Sequence, residues 1–135
     1  MKSIFPIFLV LLVFSCTNPY EKDHNNSTDE IVLNDGEKWK VDDNMLAIIR
    51  LMEQDIVAYN DSSSFTILNE NLNHNLDSLT SNCTMTGVAH DELHKWLLPY
   101  IDQLKDLSEA NTQEDQAKKV ELLRLSFEHF NTYFN

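Results

Sequence analysis

Glycine is almost missing from this chain: two in 135 residues, Gly36 and Gly87, together with only two cysteines, Cys16 and Cys83. Average usage would put glycine near about 7%, so folds that consume it in tight turns, such as β-sandwiches and barrels, are disfavoured. Phosphate-cradling loops are excluded outright, because neither GxGxxG nor GxxxxGK[ST] can be written with two glycines so far apart. Bases are scarce too. Ten Lys+Arg face 22 Asp+Glu, for a formal charge of −12 and a pI near 4.6. Neutralising phosphates takes clustered cations, so nucleic acid is not expected as a partner. No CxxC pair, CxxCH haem-attachment motif or GxSxG elbow occurs. Yet 42% of the residues are hydrophobic, enough for one domain of ordinary size.

The longest apolar run, Ile4 to Phe14, follows a single positive charge at Lys2. It falls short of the roughly 20 residues of a spanning helix and has the build of a secretory signal peptide. Its end, Val13-Phe14-Ser15-Cys16, resembles the lipobox of bacterial lipoproteins, although Phe14 stands where that family usually carries a smaller residue. The resemblance implies diacylation of the Cys16 thiol, cleavage before it and stable membrane anchoring. Thr17 after the cysteine, rather than Asp, implies delivery to the outer membrane of a Gram-negative bacterium. Cleavage removes one base, Lys2, and no acid, so the charge moves from −12 to −13. The expected organisation is a signal peptide over 1–15, a lipidated flexible tether over 16–35 and a helical domain over 36–135.

Within the last of these, four stretches repeat apolar residues at helical spacing. The first carries Met45, Ile48, Ile49, Met52, Ile56 and Tyr59, with Asp42, Asp43 or Asn44 as cap. The second carries Phe65, Leu68, Leu72, Leu76 and Leu79 after a cap among Ser62 to Ser64. A third, from near Val88, shows Leu93, Trp96, Leu97, Tyr100, Ile101 and Leu104; Pro99 within it is expected to kink the helix or offset its first turn. The fourth opens on Thr112 with Asp115 as a capping-box variant and is expected to bury Ala117, Val120, Leu123, Phe127, Phe130 and Phe134. Short connections make an antiparallel four-helix bundle the expected fold, all-α, behind its tether. A three-helix arrangement with a broken first helix is the alternative. Trp39, in the entry segment, is expected to pack on the bundle as a lid.

One constellation can carry chemistry. His90 and His94, at i and i+4, share one face of the third helix and can present two imidazoles to one metal. Cys83 lies seven residues earlier, across a loop that Gly87 lets turn back. Cys83, His90 and His94 would suit zinc; adding Met85 shifts the preference to copper as Cu(I). Water, Met85 or His129 would fill a fourth position, and noncovalent haem through His or Met is conceivable. The plainer account makes the histidines a surface pair and Cys83 a small buried hydrophobe. Acylation of Cys16 would leave Cys83 as the one thiol in an oxidising compartment, which favours a ligand role.

His90-Asp91-Glu92-Leu93-His94 fails the zincin pattern HExxH, because Asp91 stands where the general-base Glu belongs. Other paired carboxylates, such as Asp42-Asp43 and Glu114-Asp115, read as helix-start charges. No enzyme is expected. Leu122, Leu125, His129 and Tyr133 form a second strip on the fourth helix, either a docking face or a sign that the helix sits deep in the bundle. The segment from Cys83 to Trp96, with Gly36 to Trp39, loosely resembles stretches of small uncharacterised lipoproteins of Bacteroidota-type bacteria. The expected function is therefore an envelope lipoprotein whose bundle binds a ligand, with a soft metal at Cys83, His90 and His94. A metal-free structural or protein-interaction module is the alternative.

Overall fold

The computed structural model describes residues 30–60 and 62–135. The expected leader, Cys16 and the part of the expected tether up to residue 29 lie outside the described residues. Four helices follow one another: α1 Asp43–Ala58, α2 Phe65–Ser81, α3 Val88–Ser108 and α4 Gln113–Tyr133. Each packs on its neighbours in the cycle α1–α2–α3–α4–α1, most closely α1 on α2 and α3 on α4. Short connections reverse the chain each time, giving the expected antiparallel bundle.

Local chemistry sets the helix ends. Ser64 and Thr112 accept from the backbone N–H groups of Ile67 and Asp115 at 3.4 and 3.2 Å, two side-chain caps. Asp42 stands at the N-cap of α1, but its carboxylate caps nothing there and instead accepts from the Thr84 hydroxyl at 2.6 Å. Gly87 caps α3 with φ 73° and ψ −158°, a region essentially restricted to glycine. A Cβ there would meet nothing within 4 Å, so conformation alone selects the residue. Arg124 of α4 donates to the carbonyls of Ile56 and Tyr59 at 3.3 and 2.9 Å, satisfying the C-terminal end of α1. Pro99 removes one helical hydrogen bond, and α3 nonetheless runs unbroken through it. Its ring is exposed, on the side of the helix away from the core.

The core is aliphatic on one side and aromatic on the other. Met45, Ile49, Met52 and Ile56 of α1 meet Leu68, Leu72 and Leu79 of α2, all at most 5% exposed. Between α3 and α4, Trp96 lies 4.8 Å from Phe130 and 5.1 Å from Tyr100, ring centre to ring centre, with Phe127 at 5.8 Å. The Trp96 indole N–H donates to the Ser126 carbonyl and hydroxyl at 2.9 and 3.0 Å. Ile48, Tyr59, Phe65, Leu76 and Ile101 are only partly buried. Ala117 is exposed, because it lies beside Tyr59 and Asn60, where α1 has ended. The strip on α4 is no sign of deep burial either: Leu122 and Leu125 are 45% and 50% exposed.

The folded unit begins earlier than residue 36. Ile31 is 3% exposed inside the core, so residues 30–35, expected as tether, form a strap over the bundle. Asn34 and Glu37 exchange two backbone hydrogen bonds of 2.9 Å around Asp35-Gly36, whose φ values are 51° and 92°. Two positive φ angles in a two-residue turn are the type I′ hairpin geometry that Asp-Gly favours. Trp39 then donates from its indole to the Val32 carbonyl at 2.6 Å and packs against the core. Its backbone pairs in parallel with the end of α4, with Trp39 N–H to Tyr133 O at 2.7 Å and Asn135 N–H to Trp39 O at 3.0 Å.

Candidate functional site

Helix α3 carries the site because its two flanks differ. One is buried in the aromatic contact with α4. The other faces α2 and leaves a groove of about 280 Å³ lined by Met45, Leu79, Thr80, Cys83, His90, His94, Leu97, Leu98 and Ile101. The three side chains singled out by spacing thus face a single opening. His90 and His94 stack obliquely, ring centres 4.1 Å apart and planes at 52°, as i, i+4 neighbours on one face should. Both are half-buried. His90 Nδ1 lies 3.9 Å from a carboxylate oxygen of Asp91.

Cys83 is a free, exposed thiol, not a buried hydrophobe. The loop on either side of it is held to the start of α1. Asn44 donates to the Asn82 carbonyl at 3.1 Å, and Thr84 donates to Asp42 at 2.6 Å. Met85, two residues on, is 7% exposed and belongs to the core cluster rather than to the groove lining. His129 lies on α4, exposed and edge-on to Tyr133 at 5.0 Å. Among the described residues, no three His, Cys, Asp or Glu side chains stand close enough to hold a metal together. The expected centre of Cys83, His90 and His94 is therefore a shared lining and not an assembled coordination sphere.

Glu92, within the stretch compared with HExxH, has a different task. It is the one buried charged residue among those described, at 6% exposure. One carboxylate oxygen accepts from the Val32 backbone N–H at 3.1 Å and the other from Lys95 Nζ at 2.6 Å. Lys95 also donates to the Glu30 carbonyl at 3.1 Å. The pair fastens the strap to α3, so the chain arriving from residue 29 meets the bundle beside the His90–His94 stretch. A second groove of about 290 Å³ lies on that side, lined by Asp91, His94, Lys95, Leu98, Pro99 and Asp102. His94 and Leu98 form the ridge between the two grooves, and Leu98 is 57% exposed.

Two titrating groups elsewhere are shifted. Burial pushes the Asp55 carboxyl above its ordinary value of 3.8. Burial also raises the Tyr100 hydroxyl well above its usual range, with the negative charge of Asp55 adding to the effect. Tyr100 donates to the Met52 thioether at 3.6 Å, a weak bond at the centre of the bundle. Neither group touches the grooves.

Sequence reasoning placed Cys83, His90 and His94 but missed Leu98, Asp102 and the strap contacts of Glu92 and Lys95. Leu98 sits beside Leu97, and only the angle of the third helix separates the core residue from the exposed one. No known family model matches the chain, and comparison with curated proteins and solved structures finds no similar one. Among the described residues, no helix is long and apolar enough to cross a membrane.

Proposed function

We propose that this protein is a lipid-anchored, non-enzymatic interaction module of the bacterial envelope, with the groove between α2 and α3 as its binding seat. The lipobox-like Val13-Phe14-Ser15-Cys16 supports the anchor, in the outer membrane of a Gram-negative bacterium. The observation that carries the binding role is the exposed Leu98, which unlike the other exposed apolar side chains stands between two grooves and lines both. Isolated exposed leucines are common, but an apolar side chain set between two concave walls has a shape that a partner can fill.

A photo-crosslinking side chain in place of Leu98 should give a discrete partner adduct in cells, and the same probe at Leu122 should not. Equal adducts at both positions, or none at 98, would sink the binding role. Labelled palmitate should enter the wild-type chain and not Cys16→Ser; label persisting in the variant would remove the anchor.

A second reading is favoured by the shared lining of Cys83, His90 and His94. Here the groove takes a soft metal, Cu(I) or zinc, once the Cys83 loop closes on the imidazoles. One equivalent bound by the full chain and lost in both Cys83→Ser and His90→Ala would establish it. Equal, substoichiometric uptake by all three would dismiss it.

A further inference from the structure

The ridge and its two flanks have a definite length, polarity and charge. The groove lining on α3 runs from His90 to Ile101, two imidazoles and then Leu97, Leu98 and Ile101, about 16 Å at the helical rise of roughly 1.5 Å per residue. That is the length of about three helical turns. Along the other flank stand Asp91 and Asp102, also roughly three turns apart and nearly aligned on the helix surface. Asp91 is 77% exposed and its nearest basic group is the His90 imidazole at 3.9 Å. The cation between them, Lys95, lines the same groove but is already paired: Glu92 neutralises it at 2.6 Å, and the Glu30 carbonyl takes a further hydrogen bond. The surface left for a partner is a trough, apolar around Leu98 and Ile101 and floored by two imidazoles beyond, with a carboxylate at each end of one edge, on a chain of charge −12.

Resting on the interaction-module reading above, we infer that this trough receives a basic amphipathic helix of a partner protein. Its apolar side chains at i, i+3, i+4 and i+7 settle around the exposed Leu98 and against the half-buried Ile101. Two of its cations, about three turns apart, meet Asp91 and Asp102. Charge complementarity selects this guest: an acidic helix would set carboxylates against Asp91 and Asp102, and a neutral one would leave them unanswered. A contact of this length is well below a standard interface in area, the size class of transient encounters.

The test uses the full chain in zwitterionic nanodiscs, with empty nanodiscs as background. The probes are three labelled 14-residue amphipathic peptides with identical leucine faces. They carry lysine, glutamine or glutamate at two positions 11 apart. The lysine peptide should bind most tightly, with the glutamine twin weaker by about tenfold, the equivalent of about 1.4 kcal/mol. Leu98→Asp should cut binding of the lysine peptide by at least about tenfold, whereas Leu122→Asp leaves it unchanged. The double variant Asp91→Lys, Asp102→Lys should reverse the preference toward the glutamate peptide. Circular dichroism checks that each variant keeps its helices. If lysine and glutamine peptides bind equally and both depend on Leu98, the basic guest is wrong and the module stands. If no peptide depends on Leu98, the groove is not a docking seat and both readings fall.

Discussion

Helix α3 meets its two neighbours in opposite ways. Toward α4, Trp96, Tyr100, Phe127 and Phe130 fill the contact with rings, each at most 2% exposed. Toward α2, Leu97 and Leu79 are buried, but Leu98, His90 and His94 remain at the surface around an open groove. Large aromatic side chains supply more buried area per residue than aliphatic ones, so one flank can hold the helix and release the other from that duty. A bundle needs tight packing for stability and a gap for binding. Here the same helix packs tightly on one face and leaves a groove open on the other.

Cutting into the aromatic flank should have the largest effect. Trp96→Ala removes the ring stack and the bonds to Ser126, and should lower unfolding stability by about 3–5 kcal/mol. Leu98→Ala on the opposite flank should stay within about 0.5 kcal/mol. Denaturant melts of the two variants give the contrast directly, and similar losses would contradict the division of labour between the flanks.

The strap is an intermediate case, exposed apart from Ile31 and held by polar bonds. Glu92→Ala leaves the Val32 N–H without its acceptor and the Lys95 ammonium with only the Glu30 carbonyl and should cost about 1–3 kcal/mol. Amide exchange at Val32 should accelerate more than exchange in the core of α1. Val32 exchange that stayed slow would show that Ile31 and Trp39 hold the strap without the carboxylate.

The smallest expected effect is at Asp55, on the α1–α2 side. Its raised pKa means that the folded state binds the proton more tightly than the unfolded chain does. That contribution is fully present below the ordinary value of 3.8 and is lost as pH rises through the folded value. Ionised Asp55 therefore works against the fold at neutral pH. Asp55→Asn should stabilise there by about 0.3 kcal/mol, solvent screening keeping the gain small, and the advantage should vanish in acid. A gain that grew on acidification would reverse the sign of this argument.

Much of the fold was legible because helical periodicity is a local property. Met45, Ile49, Met52 and Ile56 recur at the spacing that buries one face, and all four are buried. The Ser64 and Thr112 caps are equally local, each completed within three residues. The strap was not legible. Val32 bonds to Glu92 sixty residues away, and no pattern near Ile31-Val32-Leu33 marks that partner. The candidate site was half legible: i, i+4 spacing was enough to pair His90 with His94, but nothing local fixes how far an exposed thiol across a loop stands from them.

The sequence alone determined the four amphipathic helices, the acidic surface and the pairing of the two histidines, because each depends on residues within a turn or two of one another. Tertiary structure alone decided which flank of α3 closed and which stayed open. That choice depends on how aromatic and aliphatic side chains from different helices fill space together. It turned the scarce cysteine and the histidine pair into the lining of a shared groove rather than three ligands at one point. It also made Glu92, unremarkable in the sequence, the buried carboxylate that ties the strap to the bundle.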